Sequence, residues 1–440
     1  MPKRRSLLFV AFIVAISVGQ SAAAQDLYIT NARVLDVRAR TEDARNVLIQ
    51  GGVIVGFPAS RPRDYKGPVF DAGGRWVMPA LSDMHTHSVG NFMPPGGFQM
   101  MGPESVARTA LYAGVARYLD LFSPEDAIFA ARASRAAATT PGADIFAAGP
   151  CLTATKGHCS EYGVPTRIVD TPADANREVT ALAQKKPDVV KVVYDHRTYG
   201  TRSMPTIDRA TLEAVVSTAR ANGLKTIVHV GTWDDVRHSV MAGVTAVTHT
   251  PVGLPPADMA ELMVKQGTFH IPTLAVQSDY SRFADDPSLL DSPLLLSTVG
   301  AKTVALFKQP AAAAMQGWLQ YQRGQRATDA SAVKTLAAAG VPMVTGTDGG
   351  NPAVFQGYSV HRELRLLQEA GLTAWEALAT TTINAGRLLG RKWGIDTGDE
   401  ATLIVLDGSP LVEMRNTERL HAVIHRGVVI DRSAIRPVAP

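Results

Sequence analysis

No lysine/arginine tract and no interleaved aromatic patch occurs in these 440 residues, and aromatic side chains make up only 6% of them. The formal net charge of +4 is therefore no argument for a nucleic-acid partner. Residues 1–24 carry Lys3, Arg4 and Arg5 and no acidic group, so without them the charge falls to near +1. No apolar run is long enough to span a bilayer comfortably. Leu7 to Val18 comes nearest and is too short. It follows the three basic residues and precedes Ser21-Ala22-Ala23-Ala24-Gln25, which makes it the apolar region of a secretory signal peptide cut after Ala24. No cysteine stands at the cut, which argues against lipid attachment there. The expectation is an exported chain, periplasmic or secreted, with no membrane span after cleavage.

Cysteine is scarce: Cys151 and Cys159 are the two in the chain. In an oxidising compartment a disulfide across that short loop is plausible, and two free buried thiols are the alternative. No Gly-x-Gly-x-x-Gly follows the first strand of the central region, which weakens a dinucleotide-binding reading.

What is present is an ordinary globular composition, 46% hydrophobic and 19% charged, long enough for a large domain and an accessory one. Leu27–Thr30, Val47–Gln50 and Val53–Gly56 read as strands, with Gly51-Gly52 as a hairpin turn. Ala401–Leu406 and Ala422–Ile430 have the same texture near the other end. The two ends are expected to pair as one small β-sandwich domain, residues 25–78 and 393–440. Between them, residues 79–392 alternate short apolar runs with amphipathic helical stretches. Strands are expected at Trp76–Leu81, Val115–Leu119, Ile145–Ala148, Val189–Tyr194, Thr226–Val230, Ala246–His249, His270–Ala275 and Met343–Gly346. Such strand–helix units imply an α/β fold, a (β/α)8 TIM barrel, with an open doubly wound sheet as the alternative. A helical insertion from about Pro287 to Thr335 enlarges the unit after the seventh strand and suits a lid or an interface. A homo-oligomer is compatible with it.

In a barrel, chemistry gathers at the C-terminal ends of the strands. His85 and His87 stand at i and i+2 in Asp83-Met84-His85-Thr86-His87, so on a strand they share a face. Lys191 lies among valines in Val189-Val190-Lys191-Val192-Val193-Tyr194, where a buried ammonium needs a partner or a way out. His229, His249 and Asp348 end the fifth, sixth and eighth strands. Singly, His229 and His249 read more readily as structural, Asp348 as a turn or cap residue, and the His85/His87 pair as either a metal site or two histidines in a turn. Jointly, the donor types, strand ends and chain order point to one metal site.

These residues also carry a resemblance. Val77-Met78-Pro79 leading into Asp83–His87, Gly346-Thr347-Asp348, Ser359–Leu364 and Glu376-Ala377-Leu378 with Thr381–Ala385 resemble the amidohydrolase superfamily, in its imidazolonepropionase-like or prolidase-like branch. The likeness runs over nearly the whole chain after residue 24. It implies two divalent metal ions, with His85, His87 and Asp348 on one and His229 and His249 on the other. It further implies that carbon dioxide carboxylates Lys191, and that this carbamate and a hydroxide bridge both ions. Zinc suits a histidine-rich set best. Asp348 would take the proton of the attacking water and pass it to the leaving group.

The implied substrate is a small molecule with an amide-type C–N bond: an N-acyl amino acid, a dipeptide or a cyclic amide. A lactone or an organophosphate ester cleaved at the same ions is the alternative. A mononuclear deaminase fits less well, because His229 is followed by Val230-Gly231-Thr232-Trp233 with no glutamate. A non-catalytic scaffold fits poorly with all six ligand positions filled. His158, Tyr194 and Arg197 are the candidate substrate contacts. Relatives often carry Gly-Gly shortly after the lysine. This chain reads Asp195-His196-Arg197-Thr198-Tyr199-Gly200, which puts dipeptide specificity in doubt.

Overall fold

The computed structural model describes residues 25–94, 97–199 and 202–437. The expected signal peptide, residues 1–24, lies outside the described residues. Among the described residues no helix is long and apolar enough to cross a membrane.

The two ends of the chain share one sheet. Its order is Val428–Val429, Leu420–His425, Leu403–Leu406, Trp76–Pro79, Leu27–Asp36, Thr41–Gln50 and Val53–Gly56, with Val69–Asp71 also pairing with Leu27–Asp36. The Gly51-Gly52 turn has positive φ at both residues, 55° and 74°, as a tight hairpin turn requires. Val34, Ile49, Val77, Leu403 and Ile424 bury the inner face. Trp76–Pro79 belongs to this sheet and not to the central one. It runs antiparallel to Leu403–Leu406 and parallel to Leu27–Asp36. The chain changes sheets at Ala80, whose N–H donates to Thr402 O, while the next N–H, of Leu81, donates to Gly114 O. The first central strand is therefore Leu81–Thr86. A continuous apolar run is buried in either sheet, so its hydrophobicity could not mark the crossing point.

The central region is α/β with parallel pairing. Leu81–Thr86, Val115–Asp120 and Asp144–Ala147 form one set. Leu152–Thr153, Val189–Tyr194, Lys225–Val230, Ala246–Thr248 and Phe269–Ile271 form the other. The expected strand Met343–Gly346 is an extended segment lying between the two sets. It is joined to them by the bridges His270↔Met343 and Thr86↔Gly349 and by Met84 N–H donating to Thr345 O. It is not a regular strand because its pairing is interrupted: Thr345 N–H donates to Thr380 O, and Thr347 N–H is shared between His85 O and Asp83 Oδ1. The expected strand His270–Ala275 is also shorter. It ends at Ile271, and Leu274 opens the helix Leu274–Asp285. The buried Glu363 carboxyl accepts the N–H groups of Leu274 and Ala275 and so caps that helix.

The helices carry their own boundary signals. Thr232 and Asp235 form a reciprocal capping box at the start of Trp233–Ala242, and Gly243 closes it in the left-handed region. Past residue 285 come short helices and then Gln316–Ala338, locked onto Leu274–Asp285 where Gln322 donates to Val276 O and accepts from Ser281 N–H.

Candidate metal centre

Strand alternation puts His85 on the inward side of Leu81–Thr86, and His87 follows just past its end. Asp83 does not join them as a donor. Its carboxyl accepts His85 N–H, Thr347 N–H and the Thr347 hydroxyl (2.6 Å), tying the first strand to the segment that presents Asp348. Burial pushes the Asp83 carboxyl up to about 7. Asp348 sits at φ 62°, a left-handed conformation that aspartate tolerates better than most residues, and its N–H donates to His85 O at 2.7 Å.

Six side chains converge. His87 Nε2 and His85 Nε2 lie 2.8 and 3.4 Å from Asp348 Oδ1. Donor atoms of these three residues all fall within 4.8 Å of one another. Lys191 Nζ is 3.4 Å from His85 Nε2. His249 Nε2 is 4.0 Å from Asp348 Oδ2 and 3.2 Å from His229 Nδ1. All but His87 are buried.

The protonation pattern tests whether a cation fits. The Thr273 hydroxyl donates to Pro272 O, so its oxygen accepts from His249 Nδ1, 2.6 Å away. That places the lone pair of His249 on Nε2. His229 Nε2 donates to Asp195 Oδ2 at 3.0 Å, which places the lone pair of His229 on Nδ1. Two imidazole lone pairs thus face each other across 3.2 Å with no proton left to share. Asp348 Oδ1 is a buried carboxylate oxygen that lacks a hydrogen bond of good geometry, with His87 Nε2 2.8 Å away. Lone pairs left facing one another in this way suit divalent-cation binding.

Charge states agree. Burial holds the His85 and His249 imidazoles well below their ordinary pKa and brings His229 down to about 3, so all three are neutral and able to ligate. Burial pushes the Asp348 carboxyl up, but His87, His249 and Lys191 outweigh it and keep the group ionised. Burial brings the Lys191 ammonium down to about 7, against the pull of Asp348.

Sequence reasoning missed Asp195. It is four residues after Lys191, and a period of two puts both on the inward face, so the signal was there to use. It also accepts from Arg197, through the backbone N–H and through Nη2 at 3.0 Å. Arg197 therefore lies at the centre, with Nη2 3.4 Å from His229 Nε2, but it is already engaged by a carboxylate.

His158 is also at the centre. Its ring is 4.6 Å from that of His229, and its Nδ1 meets Glu161 Oε1 at 2.6 Å. Cys151 and Cys159 are joined as a disulfide that closes the loop bearing His158. Tyr194 is the one expected contact that the structure places apart. The same alternation that turns Lys191 inward turns Tyr194 outward, into the helical layer, where its hydroxyl bonds His238 Nδ1 at 2.9 Å.

Three comparisons bear on this geometry. The model of the "Amidohydrolase family" matches residues 76–430. An imidazolonepropionase of Cereibacter sphaeroides is 28% identical over 407 residues, covering 87% of this chain and 93% of that protein. An uncharacterized protein of Mycobacterium tuberculosis is 27% identical over 372 residues, covering 82% of this chain and 86% of its own length. Among solved structures, a Xaa-Pro dipeptidase with methionine bound in its active site aligns with a TM-score of 0.75 at 18% identity, over 92% of this chain and 100% of that one. At that identity the likeness speaks to the fold, a TIM barrel with a second domain.

Proposed function

We propose a function from one premise: the chain belongs to the amidohydrolase family. It is a metal-dependent hydrolase acting on carbon–nitrogen bonds. Within that class we read it as a binuclear enzyme that cleaves an amide-type bond in an N-acyl amino acid, a dipeptide or a cyclic amide. The parallel strands are read as a (β/α)8 barrel joined through residues 343–349, with the terminal sheet as the second, sandwich-like domain.

One observation supports the binuclear reading: beside the cluster of His85, His87 and Asp348, His229 Nδ1 and His249 Nε2 face each other at 3.2 Å, and we read them as a second donor set. Lys191 is close enough to depress both His85 and His249. A lysine brought to about 7 has a neutral amine available near neutral pH. Addition of carbon dioxide to that neutral amine, with release of one proton, would give an anionic oxygen donor beside both sets. Two divalent ions, with zinc the best match to the donors, would acidify a water and polarise the substrate carbonyl.

The residues do the rest. Asp348, kept ionised, accepts the proton of the attacking water and returns it to the leaving nitrogen. Asp83 holds the segment that aims it. Asp195 and Thr273 hold the tautomers of His229 and His249. We also read residues 1–24 as a cleaved signal, which places the mature enzyme outside the cytoplasm. N-terminal sequencing of the exported chain should begin at Gln25.

The deciding experiment joins metal analysis to a hydrolysis screen of N-acyl amino acids, dipeptides and lactones. The reading expects about two ions per chain and release of free amine. One tightly held ion would refute the binuclear part, and cleavage of lactones with amides untouched would replace the substrate class.

A further inference from the structure

Five rings form a continuous arc on one side of the metal centre. Phe122 stands edge-on to His87, with centroids 6.1 Å apart and planes at 84°. Tyr162 packs on Phe122 at 6.3 Å and on His158 at 5.7 Å. His158 lies 4.6 Å from His229. The arc therefore begins on a candidate ligand of one donor set, ends on a candidate ligand of the other, and has Tyr162 at its middle.

Tyr162 does not behave as a core residue. The residue is 57% exposed, whereas Phe122 beside it is 7% exposed. A large ring left open to solvent this close to a cluster of ligands is a surface awaiting an apolar partner. The arc is also rigid before anything binds. The Cys151–Cys159 disulfide closes the loop that leads to Tyr162. Both cysteines, Phe122 and Val193 form one buried cluster, with Val164 packed on it from just beyond Tyr162. His158 is held by Glu161, and the Ser160 hydroxyl donates to Gly157 O. A preformed aromatic wall costs a ligand little ordering.

We propose that Phe122, Tyr162 and His158 form a specificity subsite for a planar apolar group, an aromatic ring, attached next to the scissile amide. This rests on the amide-hydrolase reading above. A ring on the open face of Tyr162 would lie beside Phe122 and His158, the neighbours of His87 and His229. Tyr162 acts here by contact with the substrate, not by proton transfer.

Three amides test it: N-acetyl-L-alanine, N-benzoyl-L-alanine and N-acetyl-L-phenylalanine, the last two placing a ring on one or the other side of the bond. Equilibrium binding is measured on the metal-loaded Asp348→Asn protein, and kcat and KM on the unmodified enzyme. At least one ring-bearing amide should bind more tightly than N-acetyl-L-alanine, with the preference appearing in KM. Tyr162→Ala should shrink that preference about two- to tenfold, the range expected of one aromatic contact, and Tyr162→Phe should keep it. Tyr162 is exposed, so neither change threatens the fold. Equal binding of the three amides, or a preference indifferent to Tyr162→Ala, overturns the subsite and leaves the amide-hydrolase reading standing. A Tyr162-dependent preference in binding with no amide hydrolysed supports the subsite and removes the amide-hydrolase reading.

Discussion

Asp195 Oδ2 lies 3.0 Å from His229 Nε2, and this contact turns the other ring nitrogen of His229 toward His249. The position of the carboxylate depends on a glycine. A Cβ at Gly231 would meet Asp195 Oδ1 at 1.8 Å and Arg197 Cβ at 2.5 Å. Asp195→Ala should therefore weaken binding of one divalent ion about 10–100-fold. Gly231→Ala should do the same by displacing the carboxylate, and the double variant should be no worse than either single one. Chelator competition measures all three. Additive losses would show that the glycine acts through something other than Asp195.

Lys191 and Asp348 should separate metal retention from turnover. Lys191→Ala should drop the metal content from about two ions to one or none and abolish most activity. Asp348→Asn should keep much of the metal while kcat falls at least about 100-fold, because the proton carrier is gone. Metal analysis and steady-state kinetics on the same preparations check both. Full metal content in Lys191→Ala would rule out a lysine bridge.

The pH dependence of stability should have a contribution from the helical insertion, through a carboxyl that feels Arg197. Asp329 is buried on Gln316–Ala338, and burial pushes its carboxyl up to about 7 against the pull of Arg197. A raised carboxyl means the folded state binds the proton more tightly than the unfolded one. Its contribution is fully present below about pH 4 and is lost as the pH rises through about 7. Asp329→Asn, neutral throughout, should be more stable than the unmodified protein at pH 8, by at most about 4 kcal/mol, and equal to it near pH 4. Denaturant titrations at the two pH values give the difference. The opposite sign at pH 8 would mean that the ionised carboxylate is the favoured folded form.

The Cys151–Cys159 loop is short, with a separation of 8 residues. Replacing both cysteines by serine should cost about 2–3 kcal/mol of stability. Because the disulfide anchors the wall that carries Tyr162, it should also raise KM for ring-bearing amides more than for N-acetyl-L-alanine. Reduction of the native protein should reproduce both effects.

Much of the centre could be read along the chain because its residues lie in or just past short apolar runs, where periodicity and position are local properties. His85 and His87 share a side by alternation, and Lys191 stands out among valines. What stayed hidden depended on contacts between distant segments. The run Trp76–Leu81 is divided between two sheets by hydrogen bonds to Thr402 and Gly114, both far along the chain and far from each other. Tyr194 shared a sequence neighbourhood with Lys191 but took the opposite face. Tyr162 gave no motif at all, and its place follows from a disulfide and a packed Phe122.

By itself, then, the sequence determined the donor types, their order and the alternation of strand and helix, since these rest on side-chain chemistry and on periods of two and 3.6 residues. Only the tertiary structure decided which nitrogen of each imidazole carries its lone pair, because Asp195 and Thr273 reach His229 and His249 through space. It also decided where an open aromatic face meets the ligands. Returning both facts to the chain would require distances that no local pattern encodes.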